Sequence, residues 1–510
     1  MNKNYKWAVV GMLWFVCFFN YADRQSIFSV FPKLKEEFGF SAVQLGLIGS
    51  AFMWVYALGA PLAGFIADRL PRKHLILGGC LFWSAITVMT GWCNRLWHFV
   101  TVRALEGLGE TFYFPATMSL VSDYHDGRTR SRAFSLHQSG VYLGTIGGSW
   151  FGAWFAERHG WRTGFYFFGG AGALLVLVLY RFLREPARGA VDRATTCAAD
   201  YAGDRAADRA TTAGIPGDAA GANPTAAPSR DSAPKLCHLI DDKPTGAKWG
   251  KIATEDVRAE VETAKLATPV CHLIDDKLAG RGGHSSEGEP LGVGEMLRVV
   301  FRKPTAWLLM VAFLGANFVA TIFLTWTPTF LGDKFGFKLT SAGLSGAVFI
   351  HLASALSVPL GGMLADRLAR RLAGGRMLVQ ALGLLVGATF VRLVGLTSNV
   401  TTLLVAMALF GLCKGLYDSN IFASLYDVIE PRARASAAGI MNTVGWGGGA
   451  LGPLAVGFAT QYGRHAQAID NMSEAIAFGA IIYVLGAALL LVAAFGFAHR
   501  DVLPSPTSAT

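Results

Sequence analysis

Apolar positions in this chain come in long unbroken blocks, with none of the short alternation of a soluble sheet or the one-sided stripes of a soluble helix. Twelve blocks are each long enough for a helix to cross a hydrocarbon core, which takes roughly 20 mostly apolar residues. They fall at Trp7–Val30, Val43–Ala67, His74–Cys93, Trp97–Val121, Arg132–Ala156, Trp161–Leu183, Pro304–Phe330, Thr340–Ala365, Gly375–Leu396, Val400–Leu425, Arg434–Thr460 and Ser473–Ala498. The pattern predicts an all-α membrane protein of twelve transmembrane helices in two pseudo-symmetric bundles of six. The first block lacks a small-residue cleavage site behind it and reads as a retained helix, not a signal peptide.

The blocks group as a bundle over 1–183, a linker over 184–303, a second bundle over 304–498 and a tail over 499–510. The linker is rich in Ala, Gly, Thr, Asp and Arg, has no stretch able to cross a membrane or build a core, and reads as disordered and cytoplasmic. Within it Cys237-His-Leu-Ile-Asp-Asp-Lys243 recurs as Cys271-His-Leu-Ile-Asp-Asp-Lys277. Adjacent Cys and His ligands point apart and no supporting fold surrounds them, so a duplication explains the repeat better than a metal site, and no metal or cofactor is expected.

The two bundles repeat each other. Gly64-Phe-Ile-Ala-Asp68-Arg69 reappears as Gly362-Met-Leu-Ala-Asp366-Arg367, and Asp123 through Arg130 lines up with Asp427 through Arg434. Parallel repeats of this kind are related by an axis along the membrane normal and hold a central site between them.

Composition agrees with a membrane solvent: 52% of the 510 residues are hydrophobic and 16% charged, where soluble domains carry about 25% charged residues. A net charge of +10 could point to nucleic acid, yet the excess is better read as orientation. With the N-terminus inside, twelve Lys and Arg side chains fall in four short inner loops and eight in six outer ones. Both termini are then cytoplasmic, and the bilayer, not nucleic acid, is the partner. The chain is expected to act as a monomer in a bacterial inner membrane. The seven cysteines show no paired spacing and predict no disulfide framework. No nucleophile, nucleotide loop or metal constellation suggests an enzyme.

On these residues the chain resembles the major facilitator superfamily. Gly64 through Lys73 looks like that superfamily's loop between its second and third helices. More narrowly, Asn20-Tyr21-Ala-Asp23-Arg24, Arg103-Ala-Leu-Glu-Gly107-Leu-Gly-Glu110 with Phe114-Pro115, Leu324-Thr-Trp-Thr-Pro328 and Asn442 through Pro453 look like the anion:cation symporter family. That resemblance implies transport of a sugar acid, aromatic acid or other organic anion with protons. The span 1 and span 4 motifs also resemble the spinster family, linked to lysolipid and sphingolipid export. A third reading is a membrane sensor that keeps the fold without transport.

Ionisable side chains inside a span are costly and usually face a cavity or a partner. Here they are Asp23, Arg24, Arg103, Glu106, Glu110, Arg392, Lys414 and Asp418. Arg103 and Glu110 stand two turns apart on one face, so Arg103 is expected to restrain Glu110, or simply to pair with it. Glu110 and Asp23 are the proton candidates and Arg24, with its planar fork, the anion candidate. The other reading of Asp23 and Arg24 is an outer helix end in water. The repeat sets Lys414 opposite Glu110, which suggests a second hold on the anion; the rival is a local Lys414–Asp418 pair at four-residue spacing. Arg392 and Lys414 match no motif of either family. Tyr21, His137, Gln138, Tyr417, Asn420 and Asn442 are candidate polar contacts. Asp68, Arg69, Arg72, Lys73, Asp123, Arg132, Asp366 and Arg367, with Gly64, are expected to close the inner side, or only to set orientation.

Overall fold

Pro32 and Pro115 explain the first departures from twelve simple rods. In the computed structural model, which describes residues 4–67, 70–125, 129–186, 298, 300–430 and 433–502, helix α1 (Tyr5–Ser29) stops before Pro32 and a short amphipathic α2 (Phe31–Phe38) follows. Gly39 then closes α2 at φ 66°, a left-handed position that suits glycine. Helix α3 (Ala42–Ala67) starts with a reciprocal cap: Gln44 N–H donates to Ser41 Oγ at 3.3 Å and Ser41 N–H to Gln44 Oε1 at 2.9 Å.

After α4 (Arg72–Thr90), the predicted fourth span divides into α5 (Leu96–Thr111) and α6 (Tyr113–Tyr124). Pro115 lacks an N–H and its ring crowds the carbonyl four residues back, at Thr111, which breaks the ladder just past Glu110. Helices α7 (Arg130–Arg158) and α8 (Trp161–Phe182) complete the first bundle. The second contains α9 (Pro304–Phe335), α10 (Leu339–Ala369), α11 (Gly375–Leu396), α12 (Val400–Asp418), α13 (Ile421–Val428), α14 (Arg434–Tyr462) and α15 (Ala468–Val492). A π turn carries α15 into α16 (Ala498–Asp501), whose Asp501 carboxylate accepts from Thr305 N–H and Oγ1 at the start of α9. The predicted tenth span is also broken, between α12 and α13, where the Asn420 amide donates to Ser419 Oγ at 2.7 Å. The 184–303 linker and its Cys-His repeat lie almost wholly outside the described residues.

Among the described residues, eight spans are long and apolar enough to cross a membrane by length and composition. The four others, α1, α5–α6, α7 and α14, carry the charged, polar and glycine positions that meet at the centre.

Packing obeys the repeat. In the first bundle α1 packs on α7, α3 on α5 and α4 on α8; in the second, α9 on α14, α10 on α12 and α11 on α15. The halves meet through α3 against α14 and α7 against α10. Glycines set these distances, as expected where lipid removes the hydrophobic drive between helices. A Cβ on Gly107 would lie 2.5 Å from the Phe52 carbonyl oxygen, and one on Gly411 2.4 Å from that of Ile350, so α5 sits on α3 as α12 sits on α10.

Candidate functional site

Five charged side chains of the first bundle are buried together. Asp23 and Arg24 project from α1 and Arg103, Glu106 and Glu110 from α5, with exposures between 1% and 4%. Arg24 donates from Nε to Glu110 Oε2 at 3.0 Å and from its terminal nitrogen to the same oxygen. Its guanidinium lies against the rings of Phe52 at 4.3 Å, Tyr21 at 4.6 Å, Tyr56 at 5.6 Å and Trp446, from the other half, at 5.7 Å. Stacking of this kind suits arginine better than lysine.

The expected Arg103–Glu110 pair is not what forms. Arg103 Nη1 donates instead to Glu106 Oε2 at 2.5 Å, three residues along the same helix, because Arg24 from α1 reaches Glu110 first. Among the described residues Asp23 forms no ion pair: it accepts from the Arg24 backbone N–H at 2.7 Å and from Thr87 Oγ1 of α4 at 3.2 Å. Asp23, Glu106 and Glu110 each bring an oxygen within 4.8 Å of the others. Such a trio could ligate a hard cation, but two guanidiniums already occupy the cationic places. Several polar atoms in the cluster are buried without a partner: Glu110 Oε1, Arg103 Nε and Nη2, and Asn20 Nδ2.

The second half supplies the facing wall. Gln25, Phe323, Ile350, His351, Phe410 and Lys414 line a small cavity, and the Gln25 amide donates across the halves to the Leu324 carbonyl at 3.0 Å. Lys414 Nζ binds the Asp418 carboxylate one turn on, so the four-residue pair forms while Lys414 still lines the cavity. The His351 ring meets Tyr142 of α7 at 6.2 Å.

The other expected contacts divide. Tyr21 touches Arg24, whereas Gln138 is exposed and Asn442 half-buried, both without a hydrogen bond among the described residues. Asn420 is buried, and its amide donates to the Gly361 carbonyl at 3.4 Å, tying the α12–α13 break to α10 away from the cavity. His137 is fully buried against the Tyr113 hydroxyl at 2.9 Å, Tyr417 is buried, and Arg392 is exposed.

At the end where α1 and α9 begin, the near end, the ion pairs formed among the described residues lie within one half or the other. Arg72 binds Asp123 and, through Nε at 3.1 Å, Glu185; Arg376, at the equivalent place, binds Asp366 at 2.8 Å and Asp427. Glu185 also accepts from the Arg72 and Lys73 backbone N–H groups at the start of α4. Lys73 Nζ donates to the Tyr180 carbonyl at 2.9 Å, and Arg132 and Arg367 are exposed. Gly64 lies within α3, while Asp68 and Arg69 lie outside the described residues.

The far end is different. There Val43 N–H donates to Gln461 Oε1, Ser50 Oγ to the Ala450 carbonyl at 2.5 Å, Ser149 Oγ to the Gly343 carbonyl at 2.7 Å, and Thr340 N–H to Glu157 at 2.9 Å. All hydrogen bonds between the halves, among the described residues, lie from the Gln25 level outwards. The molecule is closed at its far end.

Sequence reasoning left Glu106 without a role and passed over Thr87, Phe52, Tyr56, Trp446, Glu185 and His351. A histidine in mid-span was signal enough for His351; the aromatic box around Arg24 needs helix rotations that no linear pattern gives.

Known proteins agree with this architecture. A profile of the Major Facilitator Superfamily matches residues 13–353 and 344–509. The probable anion transporter 4, chloroplastic, of Oryza sativa subsp. japonica is 25% identical over 467 residues, 90% of this chain; the chain spans 64% of that relative's length. The ascorbate transporter, chloroplastic, of Arabidopsis thaliana is 26% identical over 467 residues, covering 90% of this chain and 70% of the relative. Protein spinster homolog 1 of Homo sapiens is 31% identical over 188 residues, 36% of each chain. The fold is that of a bacterial homologue of the human lysosomal transporter Spinster, in its inward-facing, unoccupied form, with TM-score 0.70 and 19% identity over 99% of this chain and 100% of that one. These are transporters and not enzymes, and this chain, a twelve-helix multi-pass membrane transporter, belongs to the Major Facilitator Superfamily.

Proposed function

We propose that the protein carries a small organic anion, a sugar acid or an aromatic carboxylate, together with protons, by alternately opening the two ends of a central cavity. The observation that carries this reading is the buried Arg24–Glu110 pair inside a cluster with one more carboxylate than guanidinium. A proton on Glu110 removes the charge that holds Arg24, and the freed guanidinium offers a carboxylate its two parallel N–H groups. Asp23, which forms no ion pair among the described residues, is the second proton site. Tyr21 supports Arg24, and Lys414 on the facing wall holds the far side of the anion, with Gln138 and Asn442 as further contacts. The names of the anion and ascorbate relatives support the anionic substrate.

Alternation follows from the same contacts. The far end is closed here, and the near end closes in the other state through the loops of Asp68, Arg69, Arg72, Lys73, Asp123 and Arg132 and their repeats at Asp366 and Arg367. In this reading the near end is cytoplasmic, which the excess of positive charge in the inner loops supports, and the chain works as a monomer in the inner membrane of a bacterium. The experiment is a thermal-shift screen of sugar acids, aromatic acids and lysolipids on purified protein, followed by uptake into liposomes under an acid-outside gradient. Stabilisation by an acid and gradient-driven accumulation support the reading.

One second reading is an amphipathic lipid as cargo, which the resemblance to the spinster family implies and the 31% identity to spinster homolog 1 over 36% of this chain supports. Stoichiometric lipid extracted from the purified protein, with no response to acids, would establish it instead.

A further inference from the structure

Glu106 is the side chain that the proposed cycle does not use, and it is the one that makes the charge count odd. It is 3% exposed, holds Arg103 through Nη1 at 2.5 Å, and brings an oxygen within 4.8 Å of both Asp23 and Glu110. Arg103 keeps two nitrogens, Nε and Nη2, buried with no acceptor, and Glu110 keeps Oε1 buried with no donor. Leaving such atoms unpaired in a low-dielectric site is costly, so unpaired donors and an unpaired acceptor on one face of the same helix mark an alternative pairing.

We propose that Glu106 is a positioning residue: by holding Arg103 it keeps that guanidinium from Glu110 and Asp23, and so leaves Glu110 dependent on Arg24. Were Arg103 to move one turn along α5, its free N–H groups would meet Glu110 and Arg24 would be released for an anion with no proton bound. Glu106 thereby makes substrate capture wait for a proton. This inference rests on the proton-coupled reading.

The groups that face Glu106 decide the pH behaviour. Beside Glu106 stand Asp23 from α1 and Arg103 and Glu110 from its own helix; behind them Thr87 from α4 bonds Asp23, and Arg24, with the Tyr21 and Tyr56 rings against its guanidinium, bonds Glu110. Replacing Glu106 by Gln removes a like charge from beside Asp23 and Glu110 and also loosens Arg103 towards them. Both changes make the remaining carboxylates harder to protonate, so they act in the same direction.

Infrared difference spectroscopy of the purified full chain reads buried carboxylic acids during an acid titration and needs no substrate. Wild type is expected to show such a band, and in Glu106→Gln its midpoint should move to lower pH by about one unit. Glu106→Asp, which keeps the negative charge, should titrate near wild type. A folded Glu106→Gln, judged by an unchanged unfolding temperature, that titrates like wild type overturns the role of Glu106. A wild type with no titrating buried band overturns the proton-coupled reading itself, a failure visible before any variant is made.

Discussion

Arg24 donates twice, from Nε and from a terminal nitrogen, to a single oxygen of Glu110, and the other oxygen, Oε1, is buried without a donor. A carboxylate bound on one side only can accept a proton on the other without being displaced first. Glu110→Gln should therefore uncouple the cycle: accumulation driven by a proton gradient falls about tenfold or more, roughly 1.4 kcal/mol or more. Exchange of labelled for unlabelled anion should persist, because Arg24 is then permanently available. Measuring both in liposomes checks it, and equal loss of both would contradict a proton role for Glu110.

Closure of the far end depends on two glycines at equivalent places in the repeat. A Cβ on Gly46 would lie 2.6 Å from the Pro453 carbonyl oxygen, and one on Gly343 2.5 Å from that of Ser149. Gly46→Ala or Gly343→Ala should hold the halves apart there, at a cost of about 1–3 kcal/mol to the closed state. A cysteine reporter in the cavity should then label faster from the far side. Gly439→Ala, whose Cβ meets nothing within 4 Å, is the matched control.

Much of this was legible in the sequence. The repeated Asp-Arg loops imply two bundles and their axis, and from them the equivalence of Glu110 and Lys414, because repeats preserve position along each helix. The partners were harder to read. Arg103 was matched to Glu110 on spacing alone, but an inter-helix competitor, Arg24, decides that contact, and Glu106 was closer. Asn420 looked like a cavity residue until the break after α12 turned it towards Gly361. Which of several faces a helix turns inward depends on its neighbours, which linear spacing does not contain.

Lys414 tests the facing wall. Its pair with Asp418 means that Lys414→Ala leaves a carboxylate unpartnered, so the single variant should lower both the unfolding temperature and transport. Adding Asp418→Ala should restore the unfolding temperature. Transport should stay impaired if Lys414 holds the anion, and its recovery in the double variant would remove Lys414 from the substrate site.

Outside the membrane-spanning segments, Glu37 on α2 is held below the usual carboxylate range chiefly by its hydrogen bond to Arg162, with Trp161 assisting. A folded-state shift in that direction adds stability above the unfolded value, and the gain disappears as pH falls through the folded one. The pair is largely exposed, so the effect is small, about 0–1 kcal/mol. Glu37→Gln should lower the unfolding temperature slightly at neutral pH and not at all in strong acid.

In the proposed cycle a proton gradient drives an organic anion through this chain. The most direct test is uptake of the acid selected by thermal shift into liposomes of purified protein, with and without an acid-outside gradient. A proton-driven cycle gives accumulation above equilibrium that a protonophore abolishes and that Glu110→Gln lacks. Uptake that reaches the same level without the gradient, or that ignores the protonophore, would contradict it.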